Sequence, residues 1–100
     1  MNYRVIYAPS FRDNIADQVD YLRGQKVSDD VIENWFDRLF LCLDQLAQLP
    51  GRHPVDEQMT DALGFEVRKL VYARYVITYH VDDVSRSVQL LAMVHGARRK

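Results

Sequence analysis

The apolar residues of this chain change their spacing once, and that change sets what the chain can fold into. Between residues 9 and 49 they recur every three or four positions; from Gly64 onward they alternate every second position. The first spacing builds helices with one buried stripe and the second builds strands with one buried face. Phe11, Ile15, Val19 and Leu22 form a stripe that predicts a helix over 11–24, with Ser10 as its N-cap and Gly24 as its stop. Ser28-Asp29-Asp30 predicts the start of a second helix, a cap followed by acids set against the helix dipole, and Pro50-Gly51 ends it near Leu49. Its apolar set is wide: Val31, Ile32, Trp35, Phe36, Leu39, Phe40, Cys42, Leu43, Leu46 and Leu49. A face that broad needs cover from more than one side, from the first helix and from a sheet.

Ahead of the helices, residues 3–8 (YRVIYA) predict a strand rich in aromatic and β-branched residues, ended by Pro9. Residues 50–63 show no period and contain two prolines, which predicts a loop. The later alternation predicts strands over 65–72, 74–82 and 86–95, with gaps short enough for consecutive antiparallel hairpins. The expected order is β-α-α-β-β-β, an α+β fold in which a helical hairpin lies across a mostly antiparallel sheet within one domain over residues 1–100. Trp35, Phe36, Leu39, Leu43, Tyr75, Ile77 and Tyr79 are its expected core.

Chemistry by elimination is brief. The single cysteine, Cys42, excludes an intrachain disulfide and a cysteine-based zinc site, and its place on an apolar face reads as a small buried thiol. His53, His80 and His95 are far apart in sequence and lack partners at metal spacing, so no metal or other cofactor is expected. The four glycines are scattered and make no phosphate-binding loop. Neither a secretory leader nor a span of membrane length is visible, which makes the cytoplasm the expected location. The formal charge of −1 hides an asymmetry: residues 1–50 carry five basic and eight acidic side chains, residues 51–100 eight and six. Arg68, Lys69, Arg74, His80, His95, Arg98 and Arg99 all fall in that second half. They fit either a charged, solvated sheet edge or a surface for an RNA backbone or an acidic protein.

The segment 65–81, FEVRKLVYARYVITYHV, resembles the core strands of the RelE/ParE superfamily of type II toxins: an arginine-bearing strand, a short turn, an Arg-Tyr start, then an aromatic and aliphatic run. The last strand, 88–99, VQLLAMVHGARR, is similar to the ParE ending, an apolar strand closed by a His-Gly-Ala-Arg-Arg tail. The short first strand, the amphipathic helix ending at Asp20-Tyr21-Leu22 and the longer helix ending in Leu-Pro agree, so the resemblance covers nearly the whole chain. It implies a toxin of a plasmid-maintenance or stress module, neutralised by a cognate antitoxin whose segment packs into an apolar groove.

Two branches of the superfamily imply different chemistry. RelE-like members resemble ribosome-dependent ribonucleases acting on mRNA, where a 2′-hydroxyl attacks the adjacent phosphate; that needs a base, cations around the phosphorane and an acid. Arg68, Lys69, Arg74, His95 and Arg98 fill those roles only in part. Arg68, Arg74 and His95 are the catalytic candidates under that reading. No tyrosine follows Tyr79 to supply the C-terminal tyrosine of that branch, and a pI near 6.3 suits docking on ribosomal RNA poorly. ParE-like members, associated with inhibition of DNA gyrase by protein contact, match the His95 to Arg99 ending better. In that reading His95, Arg98 and Arg99 contact the target, and Arg68, Lys69 and Arg74 attract the antitoxin.

Overall fold

A computed structural model describes residues 2–96. The elements are β1 (Arg4–Tyr7), α1 (Pro9–Gly24), α2 (Asp29–Asp44), 3-10 turns at Gln45–Ala47 and Pro50–Arg52, α3 (Glu57–Leu63), β2 (Arg68–Tyr72), β3 (Tyr75–Asp82) and β4 (Ser87–His95). The strands form a mixed sheet in the order β1-β4-β3-β2; β1 runs parallel to β4, and the other neighbours are antiparallel. The fold is therefore the expected helical hairpin on a sheet, with one short helix added.

Three local expectations change. The N-cap of α1 is Ala8, and Ser10 lies inside the first turn. Pro9 takes the first helical position, where its fixed φ suits the helix and its missing N–H costs nothing. This frees the Ser10 hydroxyl to donate to the Leu91 carbonyl of β4. The second helix leaves α geometry at Asp44 and tightens into a 3-10 turn before Leu49. The stretch expected as a loop contains α3, capped by Asp56, whose Oδ1 accepts from the Met59 N–H at 3.1 Å, and closed by Gly64 at φ 80°. Helix α3 buries no residue, so it carries no apolar stripe to read; its signals were the cap and the left-handed glycine.

The helices cover one face of the sheet. Phe11, Leu39, Leu43 and Leu46 meet Leu70, Tyr75, Ile77, Tyr79, Val88, Leu90 and Met93 in one cluster. Leu39, Leu43, Tyr75, Ile77 and Tyr79 are buried as expected, but Trp35 and Phe36 are only half-buried. Trp35 lies at the rim, its ring edge-on to Tyr75 at 5.6 Å and near Tyr72 at 6.4 Å, because α2 crosses the sheet where the β2–β3 hairpin ends. Val31 and Leu41 stay exposed, so the wide apolar face of α2 is not fully covered.

A bulge in β4 decides which of its side chains face the helices. Thr78 pairs with Ala92 but Tyr79 pairs with Leu90, leaving Leu91 as the extra residue. The buried set on β4 accordingly shifts from Val88 and Leu90 to Met93. Strand β1 ends at Tyr7, opposite Leu90, so β4 continues beyond its neighbour. Side chains of α1 stand in for the missing strand: Ser10 binds the Leu91 carbonyl, and Asn14 Oδ1 accepts from the Met93 N–H at 2.9 Å.

Candidate functional site

The sheet has a helix-covered face and an opposite face, and alternation distributes the candidate residues between them. On the opposite face Val71, Val76 and Val94 are cross-strand partners in one row, and Lys69, Thr78 and Ala92 form the next. Val71 is 66% exposed and Val94 36%. Over these two rows Lys69 is the one cation carried by the strands. The Lys69 N–H is tied to the Pro54 carbonyl at 3.0 Å, which pins this end of the β2 edge.

Arg68 shares the helix-covered face with Leu70 and Tyr72, and its guanidinium is occupied. Nη1 donates to the His53 carbonyl at 2.6 Å and Nε pairs with Glu66 at 3.3 Å. With Arg52 it lines a cleft of about 450 Å³ whose other walls include Tyr3, Leu49, Pro50 and Asp83. Arg74 lies in the two-residue turn between β2 and β3, where Ala73 takes φ 53°, and its carbonyl accepts from the Gly96 N–H at 2.7 Å. His95 ends β4, its ring edge-on to Tyr75 at 5.5 Å. Arg98 and Arg99, with Lys100, lie outside the described residues.

Arg74 and His95 thus share one end of the sheet and Arg68 lies at the other. Arg68 pairs with Tyr79 and His95 with Tyr75, four positions apart on β3. At ~3.3 Å per residue and ~4.8 Å per strand, their Cα atoms are about 16 Å apart. A phosphorane intermediate needs its cations and proton-transfer groups within hydrogen-bond reach of one another's target atoms. The three catalytic candidates do not make such a set among the described residues. Nor do Arg68, Lys69 and Arg74 form one patch, since they divide between two faces and two ends of β2.

The other titratable groups are placed by packing. His80 Nδ1 is 2.7 Å from the Glu66 carbonyl and its ring meets Phe65; the His53 ring meets Tyr79. Burial lowers the His53 pKa, with Arg52 adding to the effect. Burial pushes the Cys42 thiol up, against a smaller opposing pull from Arg52, as suits a packing residue rather than a nucleophile.

Two hollows drew on residues the sequence pattern had not singled out for function. Val31, Asn34, Trp35, Arg38, Tyr72 and Ala73 line an apolar groove of about 390 Å³ between α2 and the β2–β3 hairpin. A smaller cavity, about 150 Å³, lies between α1 and the end of β4. Asn14, Asp17, Gln18 and Tyr21 line its helix side at spacings of three and four, a signal visible in sequence only once α1 is known to lie beside β4.

A helical hairpin packed across a four-stranded mixed sheet, with a basic and aromatic C-terminal third, defines the RelE/ParE-like toxin fold. Residues 5–100 match the family described as the ParE toxin of type II toxin-antitoxin system, parDE, and the chain belongs to that family. Among solved structures it is similar to a chain in the crystal structure of the toxin-antitoxin complex RelBE2 from Mycobacterium tuberculosis, with a TM-score of 0.60 and 15% identity over 95% of this chain and 92% of that one. That likeness is one of fold. No curated protein matches the chain. Among the described residues, no helix is long and apolar enough to cross a membrane.

Proposed function

We propose that this toxin acts in the cytoplasm by protein–protein contact with DNA gyrase, in a plasmid-stabilising module, and is held inactive by a cognate antitoxin. The observation that carries this reading is the dispersal of Arg68, Arg74 and His95 over opposite ends of the sheet. A binding toxin needs no converged acid, base and cations; it needs an accessible surface of mixed character. The valine row Val71-Val76-Val94, with Lys69 beside it and Arg74 at its end, supplies one. His95, Arg98 and Arg99 are the target contacts in this reading. The groove beside Trp35 suits an apolar anchor of the antitoxin, and the solved relative in fold is itself part of a toxin–antitoxin complex.

The test is the product of the reaction. Purified protein added to gyrase should block supercoiling of relaxed plasmid, and its induction in cells should leave translated messages whole. Messenger cleavage in the ribosomal decoding site, with supercoiling unaffected, would overturn the reading and return Arg68, Arg74 and His95 to catalytic candidacy.

A further inference from the structure

Helix α2 ends at Asp44, and beyond it the segment 48–52 forms one wall of the cleft that Arg68 and Arg52 share. The sheet supplies the rest, with Tyr3 just ahead of β1, Val81 on β3, and Glu66 and Arg68 at the start of β2. In the strand order β1-β4-β3-β2, Tyr3 and Arg68 lie three strand spacings apart, about 14 Å at ~4.8 Å per strand. The volume of about 450 Å³ falls within the ~300–1,000 Å³ of small-molecule sites. Both cations are held from below. The Tyr79 hydroxyl donates to the Pro50 carbonyl at 2.6 Å and the Arg52 N–H to the Leu49 carbonyl at 3.3 Å, so the backbone that carries Arg52 is tied to β3. Arg68 is fixed by the His53 carbonyl and by Glu66. Each guanidinium opposes the rise in the Tyr79 pKa, which sets the two charges about one buried point.

The lining selects among ligands by charge. Glu66 is engaged by Arg68, and Asp83 Oδ1 accepts from the Tyr3 hydroxyl at 2.6 Å. Arg52 is exposed and makes no ion pair or side-chain hydrogen bond among the described residues. Met1 and residues 97–100, which lie outside them, carry no Asp or Glu to supply one. The planar fork of Arg52 matches a carboxylate, which accepts two parallel N–H donors. A cation would meet two guanidinium groups, while both carboxylates already have partners. A dianion would bring its second charge against Glu66 and Asp83. An uncharged apolar molecule would strip water from Arg52 without replacing it. Leu49, 62% exposed, gives apolar cover together with Val81 and the Tyr3 ring.

We propose that this cleft binds a small organic monocarboxylate with an apolar body, its carboxylate held by Arg52 beside Arg68 and its body covered by Leu49, Val81 and Tyr3. Such a ligand bridges the 48–52 segment to the sheet, so binding stabilises the folded chain. The site is separate from the valine row and from the groove beside Trp35, and it does not rest on the gyrase reading.

The probe is hydrocinnamate, titrated into the full chain while amide and tyrosine-ring resonances are followed by NMR. Hydrocinnamide keeps the body without the charge, acetate keeps the charge without the body, and phenethyl phosphate brings a dianion. Saturable shifts centred on Leu49, Arg52, Arg68 and the Tyr3 ring are expected with hydrocinnamate, with each of the other three binding at least about fivefold more weakly. Arg52→Gln should weaken hydrocinnamate at least about fivefold, whereas Arg12→Gln, the same loss of charge on α1, should not. Leu49→Asn should weaken it too, by removing cover from the body. All three side chains are exposed, so the fold should persist, and the same spectra report it. The proposal is overturned if hydrocinnamate does not bind, if its shifts centre elsewhere, or if hydrocinnamide, acetate or the phosphate binds as well. Equal weakening by Arg52→Gln and Arg12→Gln would overturn it too, as a general charge effect.

Discussion

Tyr79 makes the stability of this fold depend on alkaline pH in a way that one substitution can isolate. Its side chain is fully buried and its hydroxyl donates to the Pro50 carbonyl at 2.6 Å. Burial is the main cause that pushes its pKa from 10.0 up to about 12, with nearby Arg68 opposing the rise. The folded pKa therefore lies above the unfolded one, so the protonated phenol stabilises the folded chain. That contribution is complete below pH 10 and disappears as pH rises through about 12. At ~1.36 kcal/mol per pH unit, the loss is roughly 2–3 kcal/mol, a sizeable part of the ~5–15 kcal/mol that holds a typical domain together. Tyr79→Phe removes the titration and the hydrogen bond while nearly conserving volume. At neutral pH it should cost about 1–3 kcal/mol, because the buried Pro50 carbonyl loses its donor. Urea unfolding of both proteins at several pH values, followed by circular dichroism, gives the comparison. The stability advantage of the unaltered protein should fall by roughly 2–3 kcal/mol between neutrality and pH 12, enough to close the gap or reverse its sign. Other tyrosines and lysines titrate alike in both proteins and cancel. A gap that stays constant across that range would refute the burial argument.

Leu43→Ala, at a fully buried site in the core cluster, should destabilise by about 2–5 kcal/mol in the same unfolding assay, and Trp35→Ala by less than the ~3–5 kcal/mol of a fully buried aromatic, because Trp35 lies at the rim. Co-expression with its cognate antitoxin should yield a stable toxin–antitoxin complex on co-purification. Its association rate should fall with salt, and Lys69→Gln with Arg74→Gln should lower that rate while leaving the dissociation rate nearly unchanged.

The chain's own pattern determined the elements whose stripes are built from near neighbours. The change from helical to alternating spacing at Gly64, the Ser28 cap with Asp29 and Asp30, and the 72–75 turn all act within a few residues, so α1, α2 and the three late strands were legible with ends wrong by a few positions. The family was legible for the same reason, since its marks are short runs such as 74–79 and 95–99. Helix α3 escaped because it buries nothing, and a helix without a buried stripe leaves no period, only a cap at Asp56 and a stop at Gly64. What the tertiary structure alone decided is who meets whom across the sheet. Arg68, Arg74 and His95 look like a set along the sequence, but strand register holds Arg68 at the opposite end from the other two. The bulge at Leu91 moves Met93 onto the buried face, a shift that no two-residue alternation foretells. The cavity with Asp17, Tyr21, Tyr75 and His95 arises from the difference in length between β1 and β4, a relation between strands some eighty residues apart. Local spacing fixes each element by short-range sterics and burial, whereas register and relative length are settled only when the elements pack together.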